Sequence, residues 1–119
     1  MRAITTHKVN GCNEALIINV LDEPGNGGAN HKYDIFTPDF KVACPIYFQD
    51  GPIPEVGTNG VTHEALLAVI IDRLEGFQRG KFAHSYNADA LASLRSAMAS
   101  LQQRTRDRLA RGVEGTHTV

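Results

Sequence analysis

The sequence predicts an α+β chain in which a small antiparallel β region precedes an antiparallel two-helix hairpin. Short aliphatic clusters separated by turn formers fill the first half, and apolar residues at helical spacing fill the second. No internal repeat and no apolar run of membrane-spanning length interrupts this order. At 119 residues the chain suits one cooperative unit, with the β region at 1–60 and the hairpin at 61–119.

Four segments of the first half are predicted strands, at residues 2–9, 14–23, 31–38 and 41–49. The first is the weakest prediction, because only Ile4 and Val9 are aliphatic there beyond Ala3. Residues 24–30, PGNGGAN, are predicted to form a flexible loop because turn-forming residues follow Pro24 without interruption. Pro45 cannot donate to a strand ladder, so the last strand is expected at an edge or at a bulge.

The first helix of the hairpin is predicted to begin at Thr62 as N-cap, with Glu64 in its first turn. Gly76 and Gly80 are expected to end it. Its apolar face is predicted at Leu66, Ile70, Leu74 and Phe77, with Leu67 and Ile71 beside it.

The second helix is predicted to begin at Asn87 as N-cap, with Asp89 in its first turn. Steps of three and four residues define a seam at Leu91, Leu94, Met98 and Leu101, which Thr105 continues. A lone hairpin would leave much apolar surface in water, so this seam is expected to pack on the sheet or on another subunit.

Basic residues concentrate in the last third. Residues 1–75 hold five Lys and Arg against ten Asp and Glu, whereas residues 76–119 hold seven against three. Within this basic third, the stretch FQRGKFAHSYN at 77–87 mixes aromatic and cationic residues, which are Phe77, Arg79, Lys81, Phe82, His84 and Tyr86. Such a mixture is suited to a base and its phosphate, although it also commonly closes a helical hairpin. At the hairpin's other end Arg104, Arg108 and Arg111 are expected to share one face, where they attract phosphate or simply complement the helix dipole.

Catalysis receives little support from the sequence. The five histidines are dispersed, and there is no HExxH, GxSxG or CxxC motif. The GNGG stretch lacks the lysine of a phosphate loop. We therefore expect no catalytic residue, no metal and no cofactor. The N-terminus lacks the apolar core of a secretory signal, which predicts a cytoplasmic protein, and the slightly negative net charge argues against DNA binding.

Several stretches in the same order resemble a known family, among them NEALIINVLDEPGNGGANHKYDI, NGVTHEALL, RLEGFQRGKF and RGVEGTH. The chain is similar to the first-described Thoeris anti-defence proteins of bacterial viruses, which are nucleotide sponges. Their helical hairpin is shared with an anti-CBASS sponge. The resemblance covers nearly the whole chain.

The resemblance implies binding without chemistry, in the cytoplasm of an infected bacterium. Such proteins are dimers or hexamers that sequester the glycocyclic ADP-ribose signal of Thoeris, and hexameric members also hold CBASS cyclic di- or trinucleotides at separate sites. By similarity, Phe77 and Asn87 contact the cyclic ADP-ribose isomer, and Arg104 serves the second class of site. Together with the charge pattern, the predicted ligand-binding residues are Phe77, Arg79, Lys81, Phe82, Asn87, Arg104 and Arg108.

Two other functions stay open on the sequence. A hydrolase would degrade the same signal and release a new product. A protein-interaction hairpin would use its apolar seam to hold a partner and would ignore nucleotides.

Overall fold

The computed structural model describes all residues, 1–119, and the chain divides into two compact units. One comprises Met1–Gly51 and Glu55–Val61, and the other comprises Pro52–Pro54 and Thr62–Val119. The elements in chain order are β1 (Arg2–Ile4), α1 (Gly11–Ala15), β2 (Ile17–Val20), a 3-10 turn (Asn26–Gly28), β3 (Lys32–Phe36), β4 (Ala43–Tyr47), α2 (Ile53–Val56), α3 (His63–Gln78) and α4 (Ser85–Ala110). The predicted α+β order of an antiparallel sheet followed by paired helices is confirmed.

The sheet is a four-stranded antiparallel meander in the order β1-β2-β3-β4. Val20 on β2 is fully buried and forms the centre of this unit. Pro45 pairs with Asp34 from the outermost strand, which confirms its predicted edge position. Beyond β4, Phe48 bridges Val61, and glycine is required nearby because a Cβ on Gly60 would lie 2.4 Å from the Phe48 carbonyl carbon.

The strand predicted at 14–23 is shorter than expected, because its first residues belong to α1. Asn10 caps that helix, since its side-chain oxygen accepts the Asn13 N–H at 2.9 Å. The sequence prediction overlooked this N-cap because the aliphatic residues of β2 follow so closely. The turn-rich stretch at 24–30 contains the 3-10 turn, where Gly27 and Gly28 both take positive φ.

A carboxylate closes the turn between β2 and β3. Partial desolvation, the largest single influence, raises the pKa of Asp22, but the hydrogen bonds to its carboxylate outweigh it and lower the pKa below the ordinary value. The His31 N–H donates to Oδ2 at 3.0 Å and the Lys32 N–H to Oδ1 at 3.2 Å. The ionised form of Asp22 therefore stabilises the start of β3.

The two long helices are antiparallel. Near one end of the pair, the Arg95 guanidinium lies 3.7 Å from the Glu75 carboxylate, while Glu64 faces Gln102 and Thr105 near the other. Thr62 caps α3 as predicted, since its Oγ1 accepts the Ala65 N–H at 3.1 Å.

The ends of the hairpin connection differ from the prediction. Helix α3 continues through Gly76, because a glycine near a helix end costs only about 1 kcal/mol and does not itself stop the helix. It ends at Gln78 with Arg79 as C-cap, directly before the predicted Gly80. Helix α4 begins before Asn87, with His84 as N-cap. The His84 Nδ1 accepts the Tyr86 N–H at 3.1 Å, which takes over the capping role assigned to Asn87 and leaves Asp89 beyond the first turn.

The seam of α4 follows the predicted steps and continues one position further. Its less exposed residues are Leu91, Leu94, Met98, Leu101, Thr105 and Arg108, of which Leu91 and Arg108 are buried. On α3 the predicted face is confirmed only in part. Leu66 and Leu74 are half-buried, whereas Ile70 is 47% exposed and Phe77 37%. The other half-buried positions are Glu64, Leu67, Ile71, Glu75 and Gln78. Steps of four, three and four connect Leu67, Ile71, Leu74 and Gln78, which match the spacing of the α4 seam.

Candidate ligand-binding site

Two aromatic rings stand edge to face where α3 meets the connection at residues 79–84. The Phe77 and Phe82 centroids are 6.3 Å apart, and the ring planes cross at 87°. Phe82 is 66% exposed. An edge-to-face pair is held by its own quadrupoles and can keep a ring face available for stacking.

Cations accompany both rings. The Arg73 guanidinium carbon lies 4.9 Å from the Phe77 centroid, and the Lys81 ammonium lies 5.7 Å from that of Phe82. Arg79, the C-cap of α3, folds back toward Gly76, with one guanidinium nitrogen 3.8 Å from where a Gly76 Cβ would stand. Arg73 was missed on the sequence, although its position four residues before Phe77 on one helix was the available signal.

Asn87 lies in the first turn of α4 and is half-buried. Its Nδ2 donates to the Phe82 carbonyl at 3.4 Å, and its Oδ1 makes no hydrogen bond. The side chain is therefore attached to the connection while its acceptor stays available. The structure thus brings together the predicted residues Phe77, Phe82 and Lys81 and attaches Asn87 to them.

The connection is also held by its own polar contacts. The Gln78 Nε2 donates to the His84 carbonyl at 3.1 Å, and the Gln78 Oε1 accepts the His84 N–H at 2.8 Å. The His84 ring lies 5.1 Å from the Tyr86 ring at an angle of 32°, and Tyr86 is 77% exposed. Sequence reasoning gave Gln78 no role, because a glutamine ending a helix carries no distinctive pattern.

The opposite end of the hairpin uses its arginines differently. Arg108 is 6% exposed, and the C-terminal tail, residues 113–119, wraps its guanidinium. Nε donates to Glu114 at 3.0 Å, Nη1 donates to the Thr118 carbonyl, and Nη2 donates to the carbonyls of Val113 at 2.9 Å and Thr116 at 3.2 Å. Arg108 therefore does not share an open face with Arg104 as the spacing predicted, because it occupies the next buried position of the seam.

Arg104 is exposed and makes no hydrogen bond or ion pair. An open groove at this end is lined by Glu64, Gln102, Thr105 and Arg106. Arg106, which the sequence did not place on a face with Arg104, is the arginine that lines this groove. Arg104, Arg106 and Arg111 are therefore all exposed at this end, and Arg106 shares its groove with the acidic Glu64.

No group of three or more His, Cys, Asp or Glu side chains is placed to hold a metal ion. His31 is buried with its Nε2 3.9 Å from Asp50, and the His7 Nε2 lies within hydrogen-bond distance of the Leu16 carbonyl at 2.9 Å. No helix is both long enough and apolar enough to cross a membrane.

Fold and site together define a helical-hairpin domain that follows a small sheet and presents aromatic and cationic side chains at its connection. The chain belongs to the Acb2/Tad1 hairpin-domain family, whose profile matches residues 41–106. It is 43% identical over 93 residues to Thoeris anti-defense 1 of Bacillus phage SBSphiJ7. That alignment covers 78% of this chain and 65% of the relative, so the chain spans a little under two thirds of the relative's length.

Proposed function

We propose that this protein is an anti-defence sponge that binds a cyclic nucleotide immune signal and sequesters it without cleaving it. The observation that carries the proposal is the exposed Phe77–Phe82 pair with a cation over each ring, beside the available Asn87 oxygen. Membership of the hairpin family and the name of the phage relative support an anti-defence role. The proposed ligand is the glycocyclic ADP-ribose signal of Thoeris, and the proposed location is the cytoplasm of the infected bacterium.

Each part of that ligand has a chemically matched group at the connection. Phe77 or Phe82 would stack on adenine, which every aromatic face accommodates. The Asn87 Oδ1 would accept a hydrogen bond from a base amine or ribose hydroxyl. Lys81 and Arg79 would neutralise the pyrophosphate, together with the positive N-terminal end of α4.

A second ligand class, the CBASS cyclic di- or trinucleotides, is proposed at the opposite end. Arg104 would meet a phosphate there, because its guanidinium has no other partner. Arg108 enters this proposal as the residue that holds the tail, since its own nitrogens donate to Glu114 and to tail carbonyls. Direct contact between Arg108 and a ligand would require the tail to be released.

Sequestration by mass action requires tight binding and hence an oligomer. A nanomolar site corresponds to about 12 kcal/mol, which demands that nearly the whole ligand be buried. The connection is too exposed for that in one copy, since Tyr86 is 77% exposed. We propose a homo-oligomer, a dimer or hexamer, in which a neighbouring copy closes the pocket. Val69 at 67% exposure and Ile70 at 47% provide unpartnered apolar surface on α3 for such contact.

Titration with cyclic ADP-ribose isomers and with cyclic di- and trinucleotides tests the proposal, followed by heat denaturation and chromatography of the released ligand. A sponge returns the ligand intact, and its affinity falls in the Phe77→Ala, Asn87→Ala double variant. The matched control is Leu109→Ala, an exposed apolar residue near the far end of α4. A chemically altered ligand would instead identify a hydrolase, and no binding to any of these ligands would favour a protein-interaction hairpin.

A further inference from the structure

We infer that Gln78 is a positioning residue of the connection site, and this inference rests on the proposed function. Its carboxamide bonds both polar groups of the His84 backbone, the N–H at 2.8 Å and the carbonyl at 3.1 Å. The Gln78 carboxamide thus pairs with the N–H and the carbonyl of one residue, as a neighbouring backbone residue does in an antiparallel β-ladder. The last residue of α3 is thereby tied to the N-cap of α4.

This tie lies between the proposed ligand contacts. Phe77 directly precedes Gln78, and Asn87 lies three residues beyond His84, so the two hydrogen bonds fix the spacing of these side chains. They also close the connection as a loop that carries Lys81 and Phe82. The Asn87 Nδ2 bond to the Phe82 carbonyl, at 3.4 Å, is long for a hydrogen bond and would hold the loop weakly by itself.

Preorganisation is what Gln78 contributes to binding. Without its carboxamide, the exposed connection samples conformations in which the ring and the Asn87 oxygen are not aligned. The apparent affinity then falls by the fraction of molecules in the competent conformation. Gln78 itself is half-buried against the helix pair and need not touch the ligand.

The test is a double-mutant cycle in ligand affinity, which a merely structural role would not produce. Gln78→Leu keeps the side-chain bulk and removes both polar atoms. If the tie is open nine-tenths of the time in this variant, affinity for the cyclic ADP-ribose isomer falls about ten-fold. In a Phe77→Ala background the same substitution is expected to reduce affinity by a smaller factor than in wild type, because the Phe77 ring can no longer be aligned with the Asn87 oxygen. Gln78→Glu keeps the acceptor for the His84 N–H and should give intermediate affinity.

Gln103→Leu is the matched control, since it removes an exposed α4 carboxamide whose only bond is to Arg106 at 3.4 Å. In the ligand-free protein, the His84 amide should exchange with solvent faster in Gln78→Leu than in wild type or Gln103→Leu. The inference is overturned if wild type binds and Gln78→Leu binds equally well. An equal loss with and without Phe77, or an equal loss in Gln103→Leu, overturns it as well. Failure of the wild-type protein to bind would instead refute the proposed function, and this inference with it.

Discussion

The two ends of the hairpin place arginine in opposite environments. At the connection, the Arg73 guanidinium lies over the exposed ring of Phe77. At the tail end, Arg108 is buried, and its nitrogens donate to a carboxylate and three carbonyls of its own chain. A guanidinium binds an external phosphate only where the chain has not already supplied acceptors for it. Arg108 therefore serves folding at the tail end, whereas the aromatic and cationic side chains at the connection stay open for binding.

The largest effect is expected from Arg108→Ala. The substitution removes a buried guanidinium that donates to the part-exposed Glu114 carboxylate and to three tail carbonyls, so we expect a loss of about 3 kcal/mol of unfolding free energy. Chemical denaturation measures it. The matched control, Arg111→Ala, removes an exposed arginine that bonds only the Val119 carbonyl and a distant Asp107, and it should change stability little. Equal losses in the two variants would mean that burial does not distinguish Arg108.

Phe77→Ala should show the opposite balance, with a large effect on binding and a small one on folding. Stacking on a base contributes about 1–3 kcal/mol, so affinity for the cyclic ADP-ribose isomer is expected to fall roughly 30-fold. Stability should change by less than about 1 kcal/mol, because the ring is part-exposed and touches mainly Phe82 and Arg73. Calorimetric titration and denaturation on the same samples test both statements. A variant that loses stability without losing affinity would move the binding site away from this end.

These ends also mark what the sequence could and could not predict. The spacing of the α4 seam could be followed in the sequence as far as Thr105. One further step of three residues reaches Arg108, but a charged residue is rarely buried, so its place in the seam was not predicted. Aromatic and cationic residues near the connection were visible as composition. The capping role of His84 was not, because it depends on the ring nitrogen facing Tyr86 and on Gln78 holding the backbone extended. Local patterns specify helices, whereas contacts across a turn between side chain and backbone require coordinates.

A smaller effect is expected from Thr62→Ala, which removes the N-cap of α3. This cap lies at the same end of the hairpin as Arg108 and satisfies the Ala65 N–H at 3.1 Å. Loss of such a cap costs about 1 kcal/mol. Unfolding free energy should fall by that amount, while affinity for the cyclic ADP-ribose isomer should not change. Thr62→Ser, which restores an oxygen acceptor, should recover most of the stability, and a loss of affinity in Thr62→Ala would show that the two ends are coupled.

The smallest effect is expected from Arg95→Ala, at the ion pair with Glu75 near the connection end of the helix pair. Both side chains are largely exposed, at 57% and 41%, and the charges are 3.7 Å apart. Solvent screening and side-chain entropy leave such a pair worth less than about 0.5 kcal/mol, whereas the same guanidinium chemistry at Arg108 acts out of water. Denaturation in low and high salt tests this contrast, since the contribution of an exposed pair should vanish as the salt concentration rises. If Arg95→Ala instead lost as much unfolding free energy as Arg108→Ala, and lost it equally at low and high salt, exposed ion pairs would stabilise the helices as strongly as buried ones. The contrast between Arg95 and Arg108 would then not arise from burial.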